Sequence, residues 1–479
     1  MSRITRRRLL ESSLLAGGGL LFSRSIAKAA RGVLGANERV RVAVAGLNGR
    51  GVSHIGAYLG MENVEIAYLV DPDSRLFASR MKKVADKSGR EPAVVQDIRR
   101  VLEDKTVDAV SLATPNHWHS LMTIWACQAG KDVYVEKPLS HNIREGRVAV
   151  QAARRYGRIV QHGTQSRSRG GWDEVVAVIR SGKLGRLLVS RGLCYKSRPS
   201  IGFKSPTQPP SELNFDLWLG PVREQPYHEN LVHYNWHWFW DTGNGDIGNQ
   251  GVHEMDKARW AIPEATLPKS VISLGGRFGY EDQGETPNTQ IAIFDYGQTQ
   301  LIFEVRGLPT DKYLGQACGN VYHLEGGTIR GTTFYPEGSN EPAPLPDVGY
   351  DKGPKPSIFE NFIAAVRSRK SSDLTAEVLE GHYSSALCHL ANASYRLGEL
   401  VPFNPRTRAF GDNTEVFETL GRMEEHLAKN GLKLDATKYR LGRKLVVDPS
   451  SERVVGDDQA NQILEGTYRK GYELPADLA

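Results

Sequence analysis

Residues Asp108–His141 read DAVSLATPNHWHSLMTIWACQAGKDVYVEKPLSH. The apolar run Ala109–Ala113 has the pattern of a buried strand, and Thr114-Pro115-Asn116 ends it. A helical segment follows from about His119 to Ala129 and is closed by Gly130. A second apolar run, Val133-Tyr134-Val135, then delivers Glu136-Lys137-Pro138 at its carboxyl end. Strand, helix and strand with short connections predict a parallel βαβ unit. Ligands of open α/β sheets bind outside the carboxyl ends of the strands. Both TPNHWH and EKP fall there, which puts Lys137 where chemistry is done.

Upstream, Arg39–Ala45 (RVRVAVA) reads as a β-branched strand running into Gly46-Leu47-Asn48-Gly49-Arg50-Gly51, with Val52–Leu59 as a helix. Strand, glycine turn and helix are the context of a dinucleotide fingerprint. Its physical need is close backbone approach to a pyrophosphate, at a helix N-terminus whose free N–H groups favour an anion. Gly46 and Gly51 fit the GxGxxG spacing, whereas Asn48 stands at the middle glycine with Gly49 beside it. Asn tolerates unusual φ better than most side chains. The next apolar run, Val64–Val70, ends at Asp71, 25 residues after Gly46. That is close to the position expected of the acid that hydrogen-bonds an adenosine ribose, and an acid there favours NAD over NADP. Arg50 and Arg75 nearby leave NADP open, and a turn acid before Pro72 is the structural alternative for Asp71. Short elements at Pro92–Val95 and Ile98–Leu102, a helix over Ala149–Tyr156 and a strand over Ile159–His162 bring this half to a close near residue 163.

The second half has another texture. A helix is expected over Trp172–Gly182 and a strand over Leu187–Tyr195. The loop-like segment Lys196–Pro226 holds six prolines, and the densest aromatic cluster, His233–Asp241, follows it. Strand candidates at 270–275, 289–295, 299–306 and 321–324 suggest an open antiparallel sheet. Helices over Ser357–Arg369 and Ala376–Leu397 are placed to return to the first half. Residues 401–479 are polar and mixed. They contain one amphipathic helix, Glu415–Lys429, and otherwise read as an extended tail on the protein surface or on a neighbouring subunit.

Composition is that of a soluble protein: 479 residues, 40% apolar, 24% charged and a net charge of +6. Lys and Arg are scattered, so nucleic acid is not an expected partner. Cys127, Cys194, Cys318 and Cys388 lie far apart with no metal spacing, and are read as four buried thiols. Residues 1–30 read as a twin-arginine (Tat-type) export signal. Thr5-Arg6-Arg7-Arg8-Leu9-Leu10 carries the arginines, Leu14–Phe22 is the apolar region, and Ala27-Lys28-Ala29 is a cleavage site. A periplasmic or secreted protein, exported folded, is therefore expected, with a basic N-terminal arm as the alternative. No other stretch approaches ~18 consecutive apolar residues, so no membrane association is expected of the mature protein.

With these residues in view the chain resembles the Gfo/Idh/MocA family of oxidoreductases. The glycine turn at 46–51, Thr114-Pro115 followed by His119, Gly130-Lys131, Glu136-Lys137-Pro138 and the segment around His253 and Asp256 carry the resemblance over roughly residues 39–400. It implies an N-terminal Rossmann NAD(P)-binding domain over 38–163. A C-terminal α/β domain over 164–400 would follow, with a large open, mostly antiparallel sheet used in homo-oligomers, and then an extension over 401–479. It also implies hydride transfer between a carbohydrate or cyclitol carbon and a nicotinamide. Lys137 would be the acid or base and His253 its partner. Gly46, Asn48, Gly49, Arg50, Gly51, Asp71, Thr114, Pro115, Asn116, His119, Glu136 and Lys137 would line the cofactor site. Dehydrogenases of the family carry DxxxH on one helix; here Asn249 stands four residues before His253, and Asp246 lies three earlier. Asn249 and Asp246 would orient the substrate. Because Asn can hydrogen-bond but cannot take a proton, an NAD-dependent glycoside hydrolase or lyase with no net redox change stays beside the dehydrogenase reading.

Two further sets of residues carry expectations. Trp236, Trp238 and Trp240 alternate as they would on a strand, and either pack a core or form, through Trp236 and Trp238, a stacking wall for a sugar ring. His117 and His119, with His228, His233 and His237, lack carboxylate companions at ligand spacing, and no metal is expected.

Overall fold

A computed structural model describes residues 39–168, 171–403, 410 and 413–478. The export signal expected over residues 1–30 lies outside the described residues. Strands β1 (Val40–Ala45), β2 (Val64–Val70), β3 (Ala93–Val95), β4 (Ala109–Leu112), β5 (Asp132–Val135) and β6 (Val160–His162) alternate with helices α1 (Arg50–Leu59), α2 (Phe77–Ser88), α3 (Ile98–Glu103), α4 (Asn116–Gln128) and α5 (Ile143–Arg155). The strands form one parallel sheet in the order β3-β2-β1-β4-β5-β6. The order reverses between β1 and β4, and the crevice at that switch point is where such sheets bind ligands. Helix α4 starts at Asn116 rather than near His119, because Pro115 serves as its N-cap. Helix α5 starts at Ile143, where the Asn142 side chain caps the Glu145 N–H.

The second half begins with α6 (Trp172–Arg180) and β7 (Leu187–Tyr195), followed by α7 (Phe215–Leu219), α8 (Gly245–Gly248) and α9 (Gly251–Ala261). Strands β8 (Ser270–Gly276), β9 (Thr289–Asp295), β10 (Gln300–Arg306), β11 (Cys318–Leu324), β12 (Gly327–Arg330) and β13 (Thr333–Pro336) come next, and then α10 (Ile358–Ser368) and α11 (Val378–Arg396). The chain ends with β14 (Glu399–Pro402), α12 (Thr414–Lys429), β15 (Lys438–Leu441), β16 (Leu445–Asp448), β17 (Arg453–Val454) and α13 (Asp458–Glu465). The large sheet runs β13-β12-β11-β7-β10-β9-β8-β15-β14, with β16 pairing both β8 and β17. Every pair is antiparallel except β7 with β10. Val175, Val252, Met255, Leu387 and Leu390, from α6, α9 and α11, join one apolar cluster with Phe294 and Phe303 of this sheet. Helix α10 packs instead on the first sheet, through Phe359 and Phe362 against Val42 and Val44.

Residues 401–479 are built into both halves and are not a tail lying on the surface. Strands β14 and β15 lengthen the large sheet. Val416, Leu420, Met423 and Leu427 of α12 recur at helical spacing and cover Ile272, Ile291 and Ile302 on the other face of that sheet. The large sheet is open and mostly antiparallel, as the resemblance implied, and α12 covers part of one of its faces. Tyr472, Leu474 and Leu478 join the core cluster of α4, with Tyr472 edge-on to Trp118. The expectation of four buried thiols also needs correction: Cys127, Cys194 and Cys388 are buried, but Cys318 is exposed at the start of β11.

Candidate functional site

Three chain reversals at the sheet's switch point make a cavity of about 360 Å³. The first is the glycine turn. Gly46 has φ +83°, and a Cβ on it would sit 2.4 Å from the Ala113 carbonyl oxygen; one on Gly51 would sit 1.8 Å from the Gly46 oxygen. Gly49 is the N-cap of α1 with φ +44° and open space around it, and the first turn of α1 carries no acid. The turn is thus tight at Gly46 and Gly51 and unobstructed at Gly49, where the helix begins, and this cradle fits a pyrophosphate. Gly46, Asn48, Gly49 and Arg50 line the cavity, whereas Gly51 packs behind Gly46.

Asp71 also lines the cavity and holds the turn from behind. Its carboxylate accepts from the Leu47 N–H at 2.8 Å and from the Asp73 N–H at 2.9 Å. Burial pushes its pKa up to about 6 against those two donors.

Thr114, Pro115, Asn116 and His119 belong to the second reversal and line the cavity too. His119 staples two loops, its Nδ1 lying 2.6 Å from the Pro138 oxygen and its Nε2 2.8 Å from the Thr114 oxygen. Burial lowers its pKa against the pull of those two carbonyls. His117 is turned away, with its nitrogens 3.3 Å from the Thr242 oxygen and 3.0 Å from the Trp218 oxygen.

The third reversal follows β5. Glu136 is buried and accepts from Arg50 Nε at 2.8 Å and Gln165 Nε2 at 3.0 Å, with His54 Nε2 at 3.2 Å. Burial alone would push its pKa up, but His54 and Arg50 outweigh it and hold the carboxyl well below its usual range. Lys137 Nζ donates to the Asn249 main-chain oxygen at 2.8 Å and to Asn249 Oδ1 at 3.2 Å. Burial lowers the Lys137 pKa, while Glu136 opposes that shift.

Asn249 and His253 do not share one unbroken helix. Asn249 sits at the break between α8 and α9, with φ −90° and ψ −90°, and His253 lies in the first turn of α9. Both line the cavity together with Lys137. The His253 ring makes no hydrogen bond among the described residues. Burial first, and Lys137 second, lower its pKa to about 3, so it is neutral near pH 7. Asp246 is placed elsewhere. It is buried in a two-pronged pair with Arg198, at 2.8 and 2.7 Å, and is absent from the cavity lining. Asn249, by contrast, lines the cavity with its side chain beside Lys137.

The tryptophans also depart from expectation. Asn235–Trp238 is a short 3₁₀ turn, so the alternation of Trp236, Trp238 and Trp240 reflects no strand. Trp236 lines the cavity, stacked on His237 with ring centroids 3.6 Å apart. Trp238 lies outside the lining, under the Arg198 guanidinium. Gln165 and His233 reach the cavity without having been singled out for it. Gln165 follows the carboxyl end of β6, a place the switch-point rule covers. His233 pairs with the buried Asp73 at 2.8 Å, a contact across 160 residues that no local pattern signals.

A parallel dinucleotide-type sheet, a glycine cradle at its switch point and a lysine at the end of β5 define a nicotinamide-binding oxidoreductase fold. The model of the Gfo/Idh/MocA family's NAD-binding Rossmann fold matches residues 40–164, and the model of its C-terminal alpha/beta domain matches residues 200–426. The chain belongs to the Gfo/Idh/MocA oxidoreductase family and carries its NAD-binding domain.

Among similar proteins, scyllo-inositol 2-dehydrogenase (NAD(+)) of Bacillus subtilis (strain 168) is 30% identical over 156 residues, covering 32% of this chain and 44% of that protein. Glycosyl hydrolase family 109 protein 1 of Shewanella sp. (strain MR-4) is 30% identical over 122 residues, 25% of this chain and 27% of that one. The matched segments thus span less than half of these curated relatives. The crystal structure of the WlbA dehydrogenase from Bordetella pertussis, in complex with NADH and UDP-GlcNAcA, shares the fold. Its TM-score is 0.56 at 20% identity, over 76% of this chain and 99% of that one. Among the described residues no helix is long and apolar enough to cross a membrane.

Proposed function

We propose that this protein is an NAD-dependent oxidoreductase acting at a hydroxyl-bearing carbon of a carbohydrate or cyclitol. One observation carries the reading: Lys137, held against Asn249, opens on the same cavity as the glycine cradle and the unpartnered His253 ring. NAD, when bound, exchanges a hydride with the substrate carbon. Burial lets Lys137 Nζ give up its proton below the ordinary lysine range, so the amine can take the hydroxyl proton during oxidation and return it during reduction. Neutral His253 hydrogen-bonds the same or a neighbouring hydroxyl. Asn249 orients the lysine, and Trp236 offers an apolar face to a ring. The similarity to scyllo-inositol 2-dehydrogenase supports the cyclitol class. Lys137→Ala should bind NAD normally and form no NADH from any sugar or cyclitol the wild type oxidises. NADH formation at the wild-type rate would overturn the reading.

A second reading rests on Asn249. With an amide where dehydrogenases of the family carry Asp, the residues suit transient oxidation, loss of a glycosidic substituent and return of the hydride. Similarity to glycosyl hydrolase family 109 proteins favours it. Release of the aryl group from aryl glycosides, with no NAD added, separates it from net oxidation.

The signal-like residues 1–30 support export, and an exported protein meets no free nicotinamide pool. A tightly held cofactor fits that setting, its hydride passing in the same turnover to a second, carbonyl-bearing substrate or, in the redox-neutral reading, back to the oxidised carbon. The family resemblance adds the expectation of a homo-oligomer. Mass spectrometry of small molecules released on denaturation, after purification from the native compartment, tests the first. Light scattering tests the second. Protein that loses its nucleotide on dialysis yet keeps full activity would overturn tight retention.

A further inference from the structure

Strands β7 and β11 run antiparallel with Cys194 directly opposite Cys318. The Tyr195 N–H donates to the Ala317 oxygen at 3.0 Å, so the adjoining 195/317 pair is the hydrogen-bonded one. The 194/318 pair is therefore of the non-hydrogen-bonded kind, in which Cα atoms lie about 4.5 Å apart and side chains on one face approach most closely. That separation falls within the range disulfides span, about 4.4–6.8 Å between Cα atoms. Cys194 belongs to the apolar cluster on the helix-covered face, with Ile247 and Val252, and register puts Cys318 on the same face. One thiol is buried and the other is exposed.

We propose that Cys194 and Cys318 form a cross-strand disulfide by exchange with a disulfide-bearing oxidant, either a small molecule or a protein dithiol couple in its oxidised form. The exposed Cys318 thiolate attacks one sulfur of the oxidant. The oxidant's S–S bond breaks, and its second sulfur leaves as a thiolate. That thiolate takes the Cys194 proton, and Cys194 Sγ attacks Cys318 Sγ, expelling the oxidant's first sulfur. The two protein thiols lose two electrons, and the oxidant's disulfide becomes two thiols. The division of labour matches the acidity of the two groups. Hydrogen bonding between them lowers the Cys318 pKa and, together with burial, raises that of Cys194.

The bond would close a loop that contains α7, α8 and α9, and so both Asn249 and His253. Cys194 Sγ already lies 4.0 Å from the Asp246 oxygen. Tying the ends of so long a loop restricts the unfolded chain, which stabilises the fold around the site.

The test uses the full chain equilibrated with oxidised and reduced glutathione, quenched with acid, then alkylated in denaturant and mapped by mass spectrometry. The expected result is loss of two of the four thiols together, with one linked peptide pair joining Cys194 to Cys318. The oxidised protein should melt a few degrees higher than the reduced one. In Cys318→Ser that difference should vanish and every remaining thiol should be alkylated; Cys194→Ala serves as the second variant. Four alkylated thiols at every redox ratio would overturn the proposal. So would glutathione retained on Cys318 with Cys194 still free, a link from Cys194 to Cys388, or chains joined to one another through Cys318.

Discussion

Lys137 Nζ donates at 2.8 Å to the main-chain oxygen of Asn249, the residue that stands where a carboxylate would complete the DxxxH spacing. A carbonyl and an amide oxygen hold the ammonium without adding a full charge. Glu136, one residue away, is the chief charge opposing the burial of Lys137.

The pH dependence of oxidation follows from that arrangement. If Lys137 takes the hydroxyl proton as proposed, the neutral amine is the active form, and kcat/KM should rise with pH through the Lys137 pKa, in a range below that of a free lysine. Asn249→Asp adds a negative charge and should move the rise upward by about 1–2 pH units; Glu136→Gln should move it downward by a similar amount. Steady-state pH profiles of the three proteins check this. Coincident profiles would remove Lys137 from the proton transfer.

Asp71 titrates near 6, below which its carboxyl holds a proton. A ribose hydroxyl donating to it then loses a charged acceptor. NAD affinity in cofactor-stripped protein should weaken as pH falls through about 6. Asp71→Asn should be weaker by about 10-fold at neutral pH and indifferent to pH in that range. Quenching of tryptophan fluorescence by NAD gives the constants.

Gly46 and Gly49 both have positive φ, but only Gly46 is crowded. Gly46→Ala should abolish NAD binding and lower the melting temperature sharply, since its Cβ meets the Ala113 main chain. Gly49→Ala meets open space and should cost only the backbone penalty, about 1–2 kcal/mol. Calorimetry with and without NAD ranks the two; equal losses would show that the turn is not the cradle described.

Glu452 ties the C-terminal extension to the core by accepting from Arg147 and, at 2.9 Å, from His382. Burial alone would raise its pKa, yet these partners hold it at about 2, against an ordinary 4.5. The folded carboxyl is thus more acidic than the unfolded one. Its contribution is complete above about pH 4.5 and drains away as pH falls toward 2, an effect on the order of 2 kcal/mol. Urea unfolding at about pH 6 and about pH 3 should show a smaller pH effect in Glu452→Gln than in wild type.

The parallel half of the fold could be read along the chain because its information is local. Val64–Val70 and Leu187–Tyr195 have the observed bounds of β2 and β7, and apolar runs between glycine and proline breaks locate the other strands of the first sheet. Gly46, Asp71, Thr114 and Lys137 could be named as cavity-lining residues for the same reason, since a parallel sheet brings the carboxyl ends of its strands to one edge, whereas the strand order itself is set by the tertiary structure. The aromatic segment misled because Trp236 and Trp238 fall in a 3₁₀ turn and Trp240 lies beyond it, so their alternate spacing is not that of a strand.

What the sequence by itself determined is the class: a Rossmann half, a mostly antiparallel second half, and a lysine delivered to the crevice. Only the tertiary structure decided which acid faces the cavity and what residues 401–479 do. Asp246 is neutralised by Arg198 from a distant loop, and α12 and Tyr472 find apolar surfaces made by strands and helices far away in the chain. Such pairings depend on burial and charge shared between remote segments. No window of the chain contains both partners.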